Sequence, residues 1–291
     1  MLKGIALSLA ASVLFGYMYY FSTLLMPLSG QDIFGFRIIF TVPFVLAAVA
    51  IFKQKRMVVN HFRRIAKQPW LALVFMFNSA IMGVQMWLFL WAPNNGSALS
   101  VSIGYLLLPL VMVLVGRVLF KEYISRLKLA AVIIAAIGVT INIALKGGIS
   151  WELWVVALGY STYFAIRKSL NLMDLASFCI EMCLLLPVCF YFAAQVDLDI
   201  IKQSNPAIVP RLLLLGLISG VALTTYVAAS NRLPINVLGL LGYVEPVVML
   251  SMAFLLGENL DTQSYPLFIC LLTAMLLIIA DGVNGLREHR Y

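Results

Sequence analysis

Residues 236–258, NVLGLLGYVEPVVMLSMAFLLGE, decide how this chain reads. The stretch is long and apolar enough to cross a bilayer, whose hydrocarbon core of about 30 Å needs roughly 20 helical residues. Yet it carries Glu245 and Pro246 at its middle. A second stretch, 99–122, LSVSIGYLLLPLVMVLVGRVLFKE, follows the same plan. Each comes after an Asn (Asn94, Asn231), places a Pro at equal distance beyond it (Pro109, Pro246) and ends on a Glu (Glu122, Glu258). A proline-interrupted apolar helix at corresponding places in two halves of a chain points to a binding site near the bilayer midplane.

Composition supports a membrane setting. Of 291 residues, 63% are hydrophobic and 11% charged, with a mean hydropathy of +1.01. A soluble domain carries about 25% charged residues, so the apolar surplus must face lipid and a water-soluble fold is excluded. Ten stretches have the length of a span: 4–26, 33–52, 70–92, 97–119, 126–145, 151–168, 175–195, 209–231, 235–256 and 264–285. The expected fold is an all-α membrane protein of ten transmembrane helices. Only the connections 53–69 and 196–208 are long, which leaves no room for a soluble domain. The apolar run after Lys3 exceeds a signal-peptide core and lacks a small-residue cleavage pattern, so the first helix is expected to stay.

The net charge of +8 could suggest a nucleic-acid partner, but its distribution fits the positive-inside rule instead. Sixteen Lys and Arg fall in segments on one side, against Lys146, Lys202 and Arg211 on the other, with Arg37 inside the membrane. Both termini are therefore expected on the cytoplasmic side. Trp70, Trp91, Trp151 and Trp154 fall near helix ends, where aromatic belts sit.

The halves 1–146 and 147–291 correspond. FGFRIIFTVPFV (34–45) matches FCIEMCLLLPVC (178–189), and SVLFGYMYY (12–20) lies against STYFAIRKS (161–169). Five helices per half is an odd number, so the second half enters from the opposite side and the repeat is inverted.

Glu245 is the first candidate for chemistry. It lies about 15 Å into its helix at 1.5 Å per residue, and a carboxylate at that depth is costly unless it faces a cavity or a partner. It could carry a proton or hold a substrate amine; the structural alternative is a protonated, hydrogen-bonded Glu. Pro109 and Pro246 each remove a helical hydrogen bond, freeing the carbonyls of Tyr105 and Gly242 or merely kinking the helix. Arg37 and Glu181 occupy matching places, but their depths differ by roughly 15 Å, so each is expected to find local partners; Arg37 could instead snorkel outward. Asn78, Gln85 and Trp87, with Tyr17, Tyr105, Tyr160 and Tyr243, would supply the aromatic wall and polar anchors of a small-molecule site, though any one of them could equally be packing. Asn94 and Asn95 are expected to cap the next helix. Glu122 and Glu258 are expected to be solvated or paired with loop residues. Cys179, Cys183, Cys189 and Cys270 lie in apolar segments without a His or carboxylate at ligand spacing, which argues against a metal site. No P-loop, HExxH motif or nucleophile elbow is present, so neither a cofactor nor ATP hydrolysis is expected.

On LFLWAPNNGSALSVSIGYLLLPL (88–110), FRIIF (36–40), IEMCLLLP (180–187) and the Glu-terminated fourth helix, the chain resembles the EamA family of drug/metabolite transporters, and within it the RarD-like branch. The resemblance spans nearly the whole chain. It implies ten helices in two inverted five-helix repeats, an inner-membrane location, and a central cavity through which amino acids, drugs or metabolites are exported. The family's Asn-Pro, Gly-Glu and His-Arg pairs are here Leu108-Pro109, Lys121-Glu122 and Phe36-Arg37, and Glu245 replaces a small residue. The expectation is thus a secondary exporter of a small molecule, with proton coupling through Glu245. The alternatives are a non-transporting membrane scaffold or sensor, and a membrane-embedded transferase or hydrolase. Gly138 and Gly159 could serve close helix packing or a homodimer.

Overall fold

The computed structural model describes residues 2–233 and 235–288. Among these the chain is all helical, in the order α1 (Leu2–Phe21), α2 (Gly30–Ile51), α3 (Lys55–Lys67), α4 (Trp70–Trp91), α5 (Ala98–Phe120), α6 (Arg126–Lys146) and α7 (Trp151–Ser169), then α8 (Leu175–Ala194), α9 (Leu198–Ser204), α10 (Ile208–Ser230), α11 (Ile235–Leu241), α12 (Val244–Leu255) and α13 (Tyr265–Glu288). Eight segments are long and apolar enough to cross a membrane: Leu2–Leu25, Gly30–Ile51, Trp70–Asn94, Ala98–Phe120, Arg126–Lys146, Leu175–Ala194, Ile208–Ser230 and Thr262–Asn284. The other two expected stretches are helical but differ in kind. α7 carries Glu152, Arg167 and Lys168. The ninth stretch is split into α11 and α12.

That split falls where the sequence placed its proline. Pro lacks an N–H and its ring clashes with the preceding turn, so it is tolerated mainly in a helix's first turn. Here α12 starts afresh at Val244, which puts Pro246 in that first turn. The same residue type has no such effect in α5, which runs unbroken through Pro109. The two proline segments are alike in sequence and unlike in backbone.

Helix pairing sets the architecture. The close pairs are α1 with α10 and α12, α2 with α8 and α10, α4 with α7 and α8, α5 with α7 and α12, and α6 with α13. The core divides accordingly. One cluster is built from α1, α2, α4, α8 and α10, with Ile38, Leu88, Met182 and Leu215 at its centre. A second joins α5, α6, α7, α12 and α13 around Leu106, Ala135 and Leu271. Close approach relies on small residues where aligned side chains would collide. A Cβ at Gly16 would stand 2.1 Å from Val248 of α12, and one at Gly138 would stand 2.6 Å from Cys270 of α13. Gly138 is thus spent on packing inside the chain.

The long connections are also ordered. Segment 53–69 contains α3 and segment 196–208 contains α9, which Asp197 caps through the N–H groups of Asp199 and Ile200. Near α9, Asn205 and Arg211 both donate to the carbonyl of Leu24, tying the α1–α2 turn to the start of α10.

Candidate functional site

Arg37 projects from α2 into the core, where its side chain is buried. Its Nε donates to Ser219 Oγ on α10 at 3.1 Å, and its guanidinium lies over the ring of Phe89, 5.4 Å from the centroid. Its Nη1 is buried and has no hydrogen-bond partner among the described residues. An unsatisfied, desolvated guanidinium N–H costs free energy unless something fills it. Arg37 has not snorkelled outward; it is buried in the core with one donor unpaired among the described residues.

Glu245 supplies the opposite charge. It is the second residue of α12, where unpaired helical N–H groups and the positive end of the helix dipole favour a carboxylate. It is partly exposed, and among the described residues its carboxylate makes no hydrogen bond. Arg37 and Glu245 act electrostatically on each other and on the hydroxyls of Tyr105 and Tyr160. Those two hydroxyls are hydrogen-bonded at 3.1 Å, their rings meeting edge to face at 5.6 Å. Tyr226, on α10, lies within the same field. Arg37 of α2, Tyr105 of α5, Tyr160 of α7, Tyr226 of α10 and Glu245 of α12 therefore lie near enough for charge on one to act on others.

Further buried polar atoms on α2 and α4 lack partners among the described residues. Thr41 Oγ1 lies one turn below Arg37, and Trp87 Nε1 and Gln85 Oε1 are on α4; all three are buried and unpaired among the described residues. Gln85 uses its Nε2 to donate to the carbonyl of Val155 at 2.7 Å, bridging α4 and α7. Gly159 makes this bridge fit, since a Cβ there would stand 2.1 Å from that Nε2. Gln85 and Gly159 also line an apolar groove of about 460 Å³ between α4 and α7, with Trp154 and Leu158. Trp87 meets Trp91, and Trp91 meets Trp151, with their rings tilted at 35° and 54°.

Other expected site residues lie elsewhere. Tyr243 is buried in the apolar cluster of α5, α6 and α13. Tyr17 is 39% exposed on α1, against Phe21. Glu181 and Asn78 belong to a separate cluster. Glu181, only 1% exposed, accepts from Arg167 Nη1 at 2.6 Å and from Tyr163 Oη at 2.7 Å, with Asn78 Nδ2 at 3.4 Å. Arg167 also bonds the hydroxyl of Tyr163, the carbonyl of Asp174 and the hydroxyl of Ser177. By position in the sequence Arg167 reads as one more cytoplasmic cation. The fold instead turns its side chain inward, where it pairs with the one carboxylate on that face of α8.

At the end of that cluster Asp174 caps α8 by accepting from Ser177 N–H and holds His61 of α3 at 2.9 Å. Burial by itself would raise the Asp174 carboxyl, but the hydrogen bonds from His61 and Ser177 and the charges of His61 and Arg167 outweigh it and hold it below its ordinary value.

Two local expectations are corrected. Glu258 is neither solvated nor paired with a loop side chain: its two oxygens accept from the backbone N–H groups of Ala98 and Leu99, at 2.8 and 2.6 Å, and so cap α5. With that role filled, Asn94 and Asn95 do not cap α5; they donate to the carbonyls of Leu90 and Trp91 at the end of α4. Glu122 is exposed, as expected, and pairs with Lys168 at the end of α7. Among the buried polar residues that sequence reading did not single out are Ser219, which meets Arg37, and Glu152, which accepts from Ser97 at 2.8 Å. Glu152 is an acid within the expected span 151–168, which was a signal available to find it; for Ser219 no local signal exists.

Known proteins place this arrangement. Residues 2–144 match the model of the EamA-like transporter family. An uncharacterized transporter of Pasteurella multocida is 67% identical over 289 residues, covering 99% of both chains. The chloramphenicol-sensitive protein RarD of Pseudomonas aeruginosa is 37% identical over 291 residues, covering 99% of this chain and 97% of its own. A solved crystal structure, 15% identical, superposes with a TM-score of 0.57 over 96% of this chain and 98% of its own, which shows a shared fold. The chain is a multi-pass membrane protein and belongs to the EamA-like transporter family, in its RarD-like branch.

Proposed function

We propose that this protein is a secondary, non-ATP permease of the bacterial inner membrane, with both termini cytoplasmic, that exports a small organic molecule by alternating access. The carrying observation is the electrostatic neighbourhood of Arg37 and Glu245 beside Tyr105 and Tyr160, where a buried guanidinium N–H and the carboxylate of a partly exposed Glu245 both lack hydrogen-bond partners among the described residues. A substrate carrying an anionic group and an amine, such as an amino acid or a drug of that kind, satisfies both groups at once. Alternatively Glu245 exchanges a proton for the substrate's amine, which couples export to the pH gradient.

Ten spans in two inverted repeats, 1–146 and 147–291, are part of the same reading. What supports them is the pairing of helices. Exchanging α1 with α7, α2 with α8, α4 with α10, α5 with α12 and α6 with α13 turns the α1–α10 pair into α7–α4, α2–α10 into α8–α4, and α5–α7 into α12–α1. The α2–α8, α5–α12 and α6–α13 pairs map onto themselves. Rocking the halves about such an axis exposes a midplane site alternately to each side. A scaffold or sensor would have no use for unpaired charges so placed.

The test is a metabolite and drug screen on cells with and without the protein, repeated with Glu245→Gln and followed by flux measurements in proteoliposomes under an imposed pH gradient. A charged hydrogen bond of about 1.5–3 kcal/mol makes the expected loss of flux roughly tenfold or more, with normal amounts of folded protein. Unchanged flux in the Glu245 variant would refute the assignment.

A further inference from the structure

The short helix α3, KRMVVNHFRRIAK, joins α2 to α4. At about 100° per residue its side chains sort into four strips. Val58, His61 and Ile65 form the flank against the protein: Val58 and Ile65 pack on Phe75, Leu172 and Ile180. The next strip holds Phe62, Val59 and Ala66; Phe62 is 56% and Val59 48% exposed. Lys55 lies in this strip too, with a stem long enough to snorkel. The third strip, opposite the protein, is Arg56, Arg63 and Lys67, all exposed. Arg64, Asn60 and Met57 occupy the last.

This order is that of a helix lying flat beside the ends of two spans. With one flank on the protein, the adjoining apolar strip faces down into the boundary of the acyl chains. The basic flank then stands at the level of lipid phosphates. Segment 53–69 holds six Lys and Arg and no Asp or Glu. Arg56, Arg63 and Lys67 form no ion pair among the described residues. We propose that α3 is a docking surface for anionic phospholipid headgroups, bound by Arg56, Arg63 and Lys67 while Phe62 and Val59 insert beneath them.

The helix is not free to drift from this position. His61 holds Asp174 at 2.9 Å and Arg64 Nη1 donates to the carbonyl of Leu170 at 2.8 Å, so α3 is tethered to the α7–α8 turn. That turn is also where Arg167 reaches Asp174 and Ser177. Lipid bound to α3 therefore steadies the connection from which the buried Arg167–Glu181 pair is held.

The experiment uses the full-length protein in nanodiscs of phosphatidylcholine with and without phosphatidylglycerol, and needs no knowledge of what is transported. Hydrogen exchange over 55–67 and lipid retention in native mass spectrometry are the readouts. Phosphatidylglycerol is expected to protect 55–67 and to be retained by the wild type. Each basic residue near an anionic surface contributes about fivefold, so the triple variant R56Q/R63Q/K67Q loses about a hundredfold in apparent affinity, with its melting temperature in neutral detergent unchanged. Phe62→Gln weakens protection in both lipids. Equal protection with and without phosphatidylglycerol, undiminished retention by the triple variant, or protection that appears only when a soluble acidic protein is added would overturn the proposal.

Discussion

Replacing Arg167 by Met separates two incompatible descriptions of one residue. As a solvated cytoplasmic cation it would matter little, about 0.5 kcal/mol or less. In the fold it is 5% exposed and donates to Glu181, Asp174, Ser177 and Tyr163, so its removal leaves Glu181 as an uncompensated charge in the core. Removing one member of a buried pair costs about 3–5 kcal/mol. At about 2 °C per kcal/mol for a chain of this size the melting temperature should fall by roughly 6–10 °C. Thermal unfolding in detergent, followed by loss of monodisperse protein, measures this directly. The double variant Arg167→Met with Glu181→Gln removes the stranded charge and should regain part of the loss, giving a coupling of about 1–3 kcal/mol. A drop of under about 1 °C for the single variant, or additive effects in the pair, would show that the Arg167–Glu181 geometry is not what holds α7 to α8.

Two further outcomes follow from the helix ends. Glu258→Ala strips both acceptors from the N–H groups of Ala98 and Leu99 and should destabilise the protein by about 1–2 kcal/mol. Glu258→Gln, which keeps one acceptor, should cost less, and equal losses would argue against capping; thermal unfolding ranks the two. For the α3 tether, the Asp174 carboxyl is held below its ordinary value in the folded protein. Its contribution is therefore complete above the unfolded carboxylate value of about 3.9 and is lost as pH falls through the lower folded value. Exchange protection of α3 should not fall between neutral pH and about pH 4 and should be lost only below it, and Asp174→Asn should weaken it at neutral pH. A decline already complete at about pH 5 would contradict this.

Much of the fold could be read one segment at a time. Hydropathy is a sum over adjacent residues, and a membrane demands about 20 apolar residues in a row, so the eight long spans are visible without knowing what any of them touches. The break in the ninth was half visible: Pro246 and Glu245 marked the place, but Pro109, equally plain in the sequence, leaves α5 intact. A proline's effect depends on whether neighbouring helices give the chain room to restart, and α1, packed on α12 through Gly16 and Val248, is part of that setting.

The amino-acid sequence by itself determined that this chain lives in a bilayer, where its spans lie, and that Arg37, Glu181 and Glu245 cannot be idle at such depths, because burying a charge costs free energy wherever it happens. Which charges face one another was decided only by tertiary structure. Arg37 lies in the field of Glu245, 208 residues later in the chain, whereas Glu181 takes Arg167, a residue that sequence position assigns to the cytoplasmic end of a span. The reason is geometric: partners are chosen by the rotation and depth of each helix in its packed position, and neither quantity is written in a hydropathy profile.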